Sequence, residues 1–351
     1  MSVAVSDTVS VAVIGAGFIA DYHINGLKAA GGAKIAALVD SRSEHGHEKA
    51  RSFDIPRVET DYRKVLDDPG IDAVVIATPD ATHERLAVDA LEAGKSVLLQ
   101  KPMALDTAQC RHVMAAEKGS RGRLTVSFMH RYFAEVAWLR ALLAEGKLGK
   151  VHTIRIRNAT PGADWSEWFY RPENVSGGVV MQLGVHGIDL CQYLFGVIAD
   201  VSAQAMTARP ERTLADGRTV HTALDDNVSA LYRFRDGIRG CHEMSYTEIQ
   251  GCDRFRMEVY AEEGTVWLRT ERGAAALYAP AATGMKEWIV PPLPQEPFGK
   301  AHHSHWLSVV RGDAPPDGTS LAGLLSVAVA ETIYAAADSG CRTRVDVEEC
   351  P

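Results

Sequence analysis

Ser10-Val11-Ala12-Val13-Ile14-Gly15-Ala16-Gly17-Phe18-Ile19-Ala20 joins a short β-rich run to a turn with two glycines and then to a helical pattern that continues to Ala30. The spacing is G-x-G-x-x-A. Gly15 permits a tight turn, Gly17 lets the backbone approach a pyrophosphate, and Ala20 keeps the helix close to the strand. The helix start, at Phe18 and Ile19, offers backbone N–H groups and a partial positive charge to phosphate oxygens. Residues 34–39 read as a second strand that ends at Asp40, about twenty residues beyond the glycines. An acidic side chain there accepts hydrogen bonds from ribose hydroxyls and repels a 2′-phosphate, so NAD is favoured. Arg42 is the side chain that would accommodate NADP instead. Asp40 also reads as a loop aspartate capping the helix that begins near Glu44.

The alternation continues with a strand at residues 73–77, a helix at 81–93 with Asp80 as N-cap and Gly94 behind it, a strand at 96–99, a helix at 106–118 and a strand at 124–128. Strands separated by helices of about a dozen residues imply βαβ units and a parallel sheet. Residues 1–130 are therefore expected to form one Rossmann domain. Gln100-Lys101-Pro102 stops the fifth strand. Proline restricts the residue before it, and a lysine at the carboxyl end of a parallel strand points into the crevice where such sheets bind ligands.

Residues 131–351 follow another pattern. After a helix at 132–145, strand-like runs dominate: 151–157, 201–207, 227–234, 239–246, 255–261 and 265–269. Turns such as Asp236-Gly237 and Glu263-Gly264 separate successive runs. Helices are expected at 177–194 and 320–337. The fold class is thus an α/β Rossmann domain followed by an α+β domain with a large open, mainly antiparallel sheet. On the helix 177–194, Gln182, His186, Asp189 and Tyr193 fall at spacings of four, three and four, which places them on one face. The plain structural reading is a buried histidine satisfied by its surroundings, with Asp189 in an ion pair.

A net charge of -8 argues against nucleic acid and anionic membranes as partners. Six scattered cysteines without a C-x-x-C pair suit a reducing, cytoplasmic setting and argue against structural zinc. The N-terminus reads as neither signal peptide nor anchor, and no run approaches eighteen apolar residues, so no membrane span is expected. His302-His303-Ser304-His305 suggests a metal cluster at first sight. Adjacent histidines on a helix diverge by about 100°, and no cysteine or carboxylate pattern completes a site, so no metal is expected.

Taken in order, these pieces resemble the Gfo/Idh/MocA oxidoreductase family. The matching features are the G-x-G-x-x-A opening, the acidic end of the second strand, Thr78-Pro79 with His83, Lys101-Pro102, Met129-His130-Arg131, Gly177-Gly178 and the run from Leu183 to Leu190 that holds His186. The resemblance implies NAD(P) bound by the first domain and hydride transfer at a hydroxyl or keto carbon of a sugar, inositol or related polyol. It places Thr78, Pro79, His83, Gln100 and Lys101 near the cofactor, and Lys101, His130, Arg131, Gln182 and His186 near the substrate. Trp165, in an aromatic stretch, is a further expected substrate contact. Two features depart from the family pattern: Gln100 and Gln182 stand where the family has Glu and Asp. Lys101 is expected to stabilise charge on the reacting oxygen, His186 to act as general base, and Gln182 to orient His186. A redox-neutral, NAD-dependent glycoside-cleaving enzyme and a catalytically silent sugar-binding regulator are the alternatives. A homo-oligomer, dimer or tetramer, is expected from the open sheet.

Overall fold

The computed structural model describes residues 8–249, 254–270 and 273–346. Met1 to Asp7, Cys252 and Cys350 lie outside these. The chain forms two compact units, Met1–Met129 with Glu296–Leu324, and His130–Gln295 with Leu325–Pro351.

In the first unit, β1 (Val9–Ile14), α1 (Phe18–Ala30), β2 (Ala33–Val39), α2 (Ser43–Ser52), β3 (Val58–Glu59), α3 (Arg63–Leu66), β4 (Ala73–Ile76), α4 (His83–Glu92), β5 (Ser96–Leu99), α5 (Thr107–Gly119) and β6 (Leu124–Val126) alternate. The strand order is β3-β2-β1-β4-β5-β6, and every pairing is parallel. This is the doubly wound order whose switch point, between β1 and β4, opens a crevice at the carboxyl ends of the strands. β4 and β5 are buried along their whole length, as their unbroken apolar runs require. The helix expected from Ala81 begins at His83, because Asp80–Thr82 first makes a 3₁₀ turn. Asp106 caps α5 by accepting the N–H of Gln109.

The second unit has α6 (Ala134–Ala144), β7 (Val151–Ala159), α7 (Val185–Phe195) and β8 (Ile198–Met206). Next come a small hairpin of β9 (Glu211–Thr213) and β10 (Thr219–His221), then β11 (Asn227–Phe234), β12 (Arg239–Ser245), β13 (Phe255–Ala261), β14 (Thr265–Thr270), β15 (Gly273–Tyr278) and the short α8 (Pro280–Thr283). Its eight-stranded sheet runs β15-β14-β13-β7-β12-β11-β8-β16, where β16 is Thr343–Arg344. Only β7 and β12 pair in parallel; the other pairs are antiparallel. β11 alternates buried and exposed positions, the mark of a sheet covered on one face.

Residues 131–351 were expected to form the second domain, whereas Glu296–Leu324 groups with the first unit. The helix α9 (Lys300–Arg311) returns to the first unit, where Trp306 and Leu307 enter the core made by Val11, Val13, Ala20, Ile24 and Leu27. Burial of these side chains at about 1.5–3 kcal/mol each explains why the segment docks there. The following helix is α10 (Thr319–Ser339). Over an 18-residue window its mean hydropathy is 1.5, so it is long and apolar enough to cross a membrane by length and composition, although 56% of that window is buried inside the protein. Gly, Ser and Thr break up its apolar letters, so counting uninterrupted apolar residues passed over it.

Candidate active site

The glycine turn sits at the switch point. Gly15 has φ +101°, and a Cβ there would lie 2.3 Å from the Ala77 carbonyl oxygen, so β1 and β4 admit only glycine at this place. Gly17 is different. It needs no unusual φ, and a Cβ on it would meet nothing within 4 Å. It begins α1 with no side-chain cap. An open cradle at an uncapped helix start is what a pyrophosphate fills, so the residues present fit a dinucleotide.

Asp40 follows β2 and ties this turn down. One carboxylate oxygen accepts from Ala16 N–H at 3.2 Å and meets His45 Nδ1 at 3.1 Å, and the other accepts from Arg42 N–H at 2.9 Å. Burial opposes its ionisation, but the hydrogen bonds from Arg42, His45 and Ala16 outweigh that and hold the carboxyl below its usual range. Asp40 therefore shapes its own loop and Arg42 opens α2 without a side-chain cap, so the capping role considered for Asp40 is not seen.

His83 is a correction. It is fully buried, with Nδ1 2.7 Å from the Pro102 carbonyl oxygen and Nε2 3.0 Å from that of Thr78. It acts as a strut that ties the Thr78-Pro79 turn to the Lys101-Pro102 turn, not as a cofactor contact. The Lys101–Pro102 peptide is cis. Lys101 is half-buried, and its backbone N–H donates to Gln100 Oε1 at 3.1 Å. Gln100 itself is buried and turned inward: its Nε2 lies 2.8 Å from His23 Nε2. The position expected to touch cofactor thus serves the turn that carries the lysine.

In the second unit His186 opens α7, but the segment before it is not α-helical. Val180–Gly184 forms one π-helical turn. The expected single stripe is therefore broken. His186, Asp189 and Tyr193 keep the 3.6-residue spacing, while Gln182 lies one wider turn earlier. Single π turns are rare and cluster at functional sites, and spacing alone does not reveal them. Asp225, which the sequence did not single out, holds the start of this segment. Its carboxylate accepts from Gly178 N–H at 2.9 Å, Val180 N–H at 3.1 Å and the Tyr334 hydroxyl at 2.9 Å. Burial pushes its carboxyl up. Gly187 lets α7 lie against the sheet, since a Cβ would come within 2.3 Å of Asn158 Oδ1.

His130 stacks on His186 with ring centroids 4.4 Å apart and planes at 17°. Both are buried, as is Gln182. Arg131 was expected to face substrate, yet its guanidinium engages Asp189 through Nε at 2.9 Å and through Nη2, and its side chain is 8% exposed. The ion-pair reading of Asp189 is therefore the one observed, and Arg131 braces His130 from the neighbouring position. The aromatic stretch divides. Tyr170 is buried with its hydroxyl on Ala163, whereas Trp165 is 45% exposed beside Phe169. Among the described residues no His/Cys/Asp/Glu group could hold a metal ion.

Two family models match. Residues 9–128 fit the oxidoreductase family with NAD-binding Rossmann fold, and residues 136–267 fit the GFO/IDH/MocA C-terminal domain. The NAD(+)-dependent scyllo-inositol 2-dehydrogenase of Bacillus subtilis is 27% identical over 342 residues, 96% of either chain. Levoglucosan dehydrogenase of Pseudarthrobacter phenanthrenivorans is 28% identical over 255 residues, 67% of this chain and 65% of its own. The solved levoglucosan dehydrogenase complex with NADH shares the fold, with a TM-score of 0.86 over 97% of this chain and 99% of that one at 22% identity. Together with the glycine cradle and the strand order, these matches settle the lineage: the chain belongs to the Gfo/Idh/MocA family and is an NAD-dependent oxidoreductase.

Proposed function

We propose that the protein interconverts a hydroxyl and a keto carbon on a sugar, sugar derivative or inositol-like polyol. The observation that carries this reading is the end-to-end match to a scyllo-inositol dehydrogenase, covering 96% of both chains. The nicotinamide, when bound, supplies the hydride-accepting and hydride-donating chemistry. Lys101 donates a hydrogen bond to the reacting oxygen and stabilises the charge that develops there. His186 takes the hydroxyl proton in the oxidative direction and returns it in the reductive one. His130, stacked on it, fixes the plane of the imidazole. Gln182 is neutral, so it can orient a neighbour by hydrogen bonding but adds no negative charge.

We also read the protein as a cytoplasmic homo-oligomer. Supporting this, Met206 and Leu231 lie on the open face of the eight-stranded sheet and are 58% and 59% exposed. The cysteines Cys110, Cys191, Cys241 and Cys341 are free thiols.

The test is a panel of inositols, hexoses, sugar acids and anhydrosugars with NAD. At least one is expected to accumulate NADH, and Lys101→Met or His186→Ala should lower kcat by about two orders of magnitude or more while leaving NAD binding intact. Release of an aglycone without NADH would instead favour redox-neutral glycoside cleavage.

A further inference from the structure

Behind Lys101 runs a continuous hydrogen-bonded line whose proton positions can be assigned one after another. It starts at the Gly299 carbonyl, which only accepts, so His303 Nδ1, 2.7 Å away, carries a proton. His303 is buried, and burial pulls its pKa down to about 4. The ring is neutral and its Nε2 is a lone pair. His23 Nδ1, 3.0 Å from that nitrogen, must therefore donate. His23 is fully buried, and burial with the neighbouring His303 and His302 pulls its pKa well down. It too is neutral, so its Nε2 accepts. The group 2.8 Å away is the Gln100 amide nitrogen, which donates. This leaves Gln100 Oε1 to accept the backbone N–H of Lys101 at 3.1 Å. Each assignment follows from the one before, which is how tautomers and amide orientation are inferred.

We propose that His23 and His303 are positioning residues for Lys101, forming a neutral relay that requires an amide and excludes a carboxylate at residue 100. The surroundings agree. His23 is faced by Tyr22 on its own helix and by His302 and His303 on α9. Gln100 also reaches Ser127, at 3.5 Å. The Tyr22 hydroxyl lies 3.0 Å from His302 Nδ1. A carboxylate at residue 100 has no hydrogen to give the His23 lone pair. Shifting both imidazoles to the other tautomer would satisfy the carboxylate but leave His303 Nδ1 without a hydrogen for the Gly299 carbonyl, so keeping every bond of the line requires one proton from solvent. The fixed relay would then become a proton-binding one, and the placement of Lys101 would follow pH.

This inference rests on the reading of Lys101 as the group that touches the reacting oxygen, so its test has one arm that ignores turnover. Long-range proton–nitrogen spectra of the full chain should show His23 and His303 as Nδ1–H tautomers, with His23→Gln and His303→Gln used for assignment. An Nε2–H tautomer at His23 overturns the relay whatever the enzyme turns over. The second arm is Gln100→Glu, assayed with NAD and the polyol of the panel that reacts fastest. Its kcat relative to the parent should be down about tenfold or more near pH 8 and recover toward the parent near pH 6, where a paired His23 holds its proton. KM for NAD should stay within about twofold, because the glycine cradle is untouched. A kcat ratio that is flat with pH overturns the requirement for an amide. The same pattern of recovery in Gln100→Leu, which cannot bind a proton, overturns it as well.

Discussion

Around Lys101 the supporting side chains are neutral: Gln100, His23 and His303 pass one hydrogen bond to the next and end on a carbonyl. Around His186 the support includes charge: His130 stacks on its ring, and the next residue, Arg131, forms a buried ion pair with Asp189. The two arrangements differ in what one substitution leaves behind. Removing a member of a neutral line strands one donor or acceptor, at about 1–3 kcal/mol. Removing one ion of a buried pair strands a charge, at about 3–5 kcal/mol. Asp189→Asn should therefore destabilise the protein by about 3–5 kcal/mol in chemical denaturation, against about 1–3 kcal/mol for Gln100→Leu. Equal losses in the two variants would erase the distinction drawn between the units.

The neutral groups also give the protein an acid limit. Burial, reinforced by neighbouring histidines, holds His23 and His302 well below the usual histidine range; burial alone brings His303 to about 4 and His242 to about 3. His242 sits in the second unit, donating from Nε2 to Asn158 Oδ1 at 2.8 Å and accepting the Tyr232 hydroxyl on Nδ1 at 2.9 Å. A histidine whose folded pKa is depressed binds its proton in the unfolded chain first. Stability is then fully present above about pH 6.5 and is lost as pH falls from there toward 4, by about 1.4 kcal/mol per pH unit for each such group. Denaturation near pH 5 should take up about four protons per chain, and His242→Gln should remove about one of them. Uptake close to zero would mean that these histidines are already charged in the folded protein.

What was legible in the sequence was what local sterics and periodicity determine. β5 was read at its full length because four consecutive buried residues between a glycine and a proline leave little choice. Gly15 was read correctly because a single backbone conformation demands it. What was not legible depends on partners far along the chain. His303 meets His23 across 280 positions, and only the fold shows that the His302-His303 pair closes the first unit. The π turn leaves the letter spacing unchanged, so Gln182 looked like one more member of a helical face. Asp189 was recognised as a candidate for an ion pair, but no periodicity names Arg131 as its partner.

The smallest expected effect concerns Asp40, which belongs to both kinds of support at once. It is a charged group, yet it is held by two backbone N–H donors, Arg42 of its own loop and Ala16 of the glycine turn. A 2′-phosphate near it would meet a like charge, worth about 1–4 kcal/mol at a separation of about 4 Å in a solvated setting. Asp40→Ala removes that repulsion, so the preference for NAD over NADP should narrow by about ten- to a hundredfold in kcat/KM. The same variant also releases the Ala16 N–H, which loosens the glycine turn and raises KM for both cofactors. The ratio of the two specificity constants is therefore the proper measure, because the loosening affects both cofactors alike. Asp40→Asn separates the contributions further: the amide oxygen can still accept from Ala16 or Arg42, but the charge is gone. If the ratio moves in Asp40→Ala and not in Asp40→Asn, loop geometry sets the preference. If it moves equally in both, the charge of Asp40 sets it. A ratio that moves in neither would pass the discrimination to Arg42, whose side chain is exposed at the start of α2.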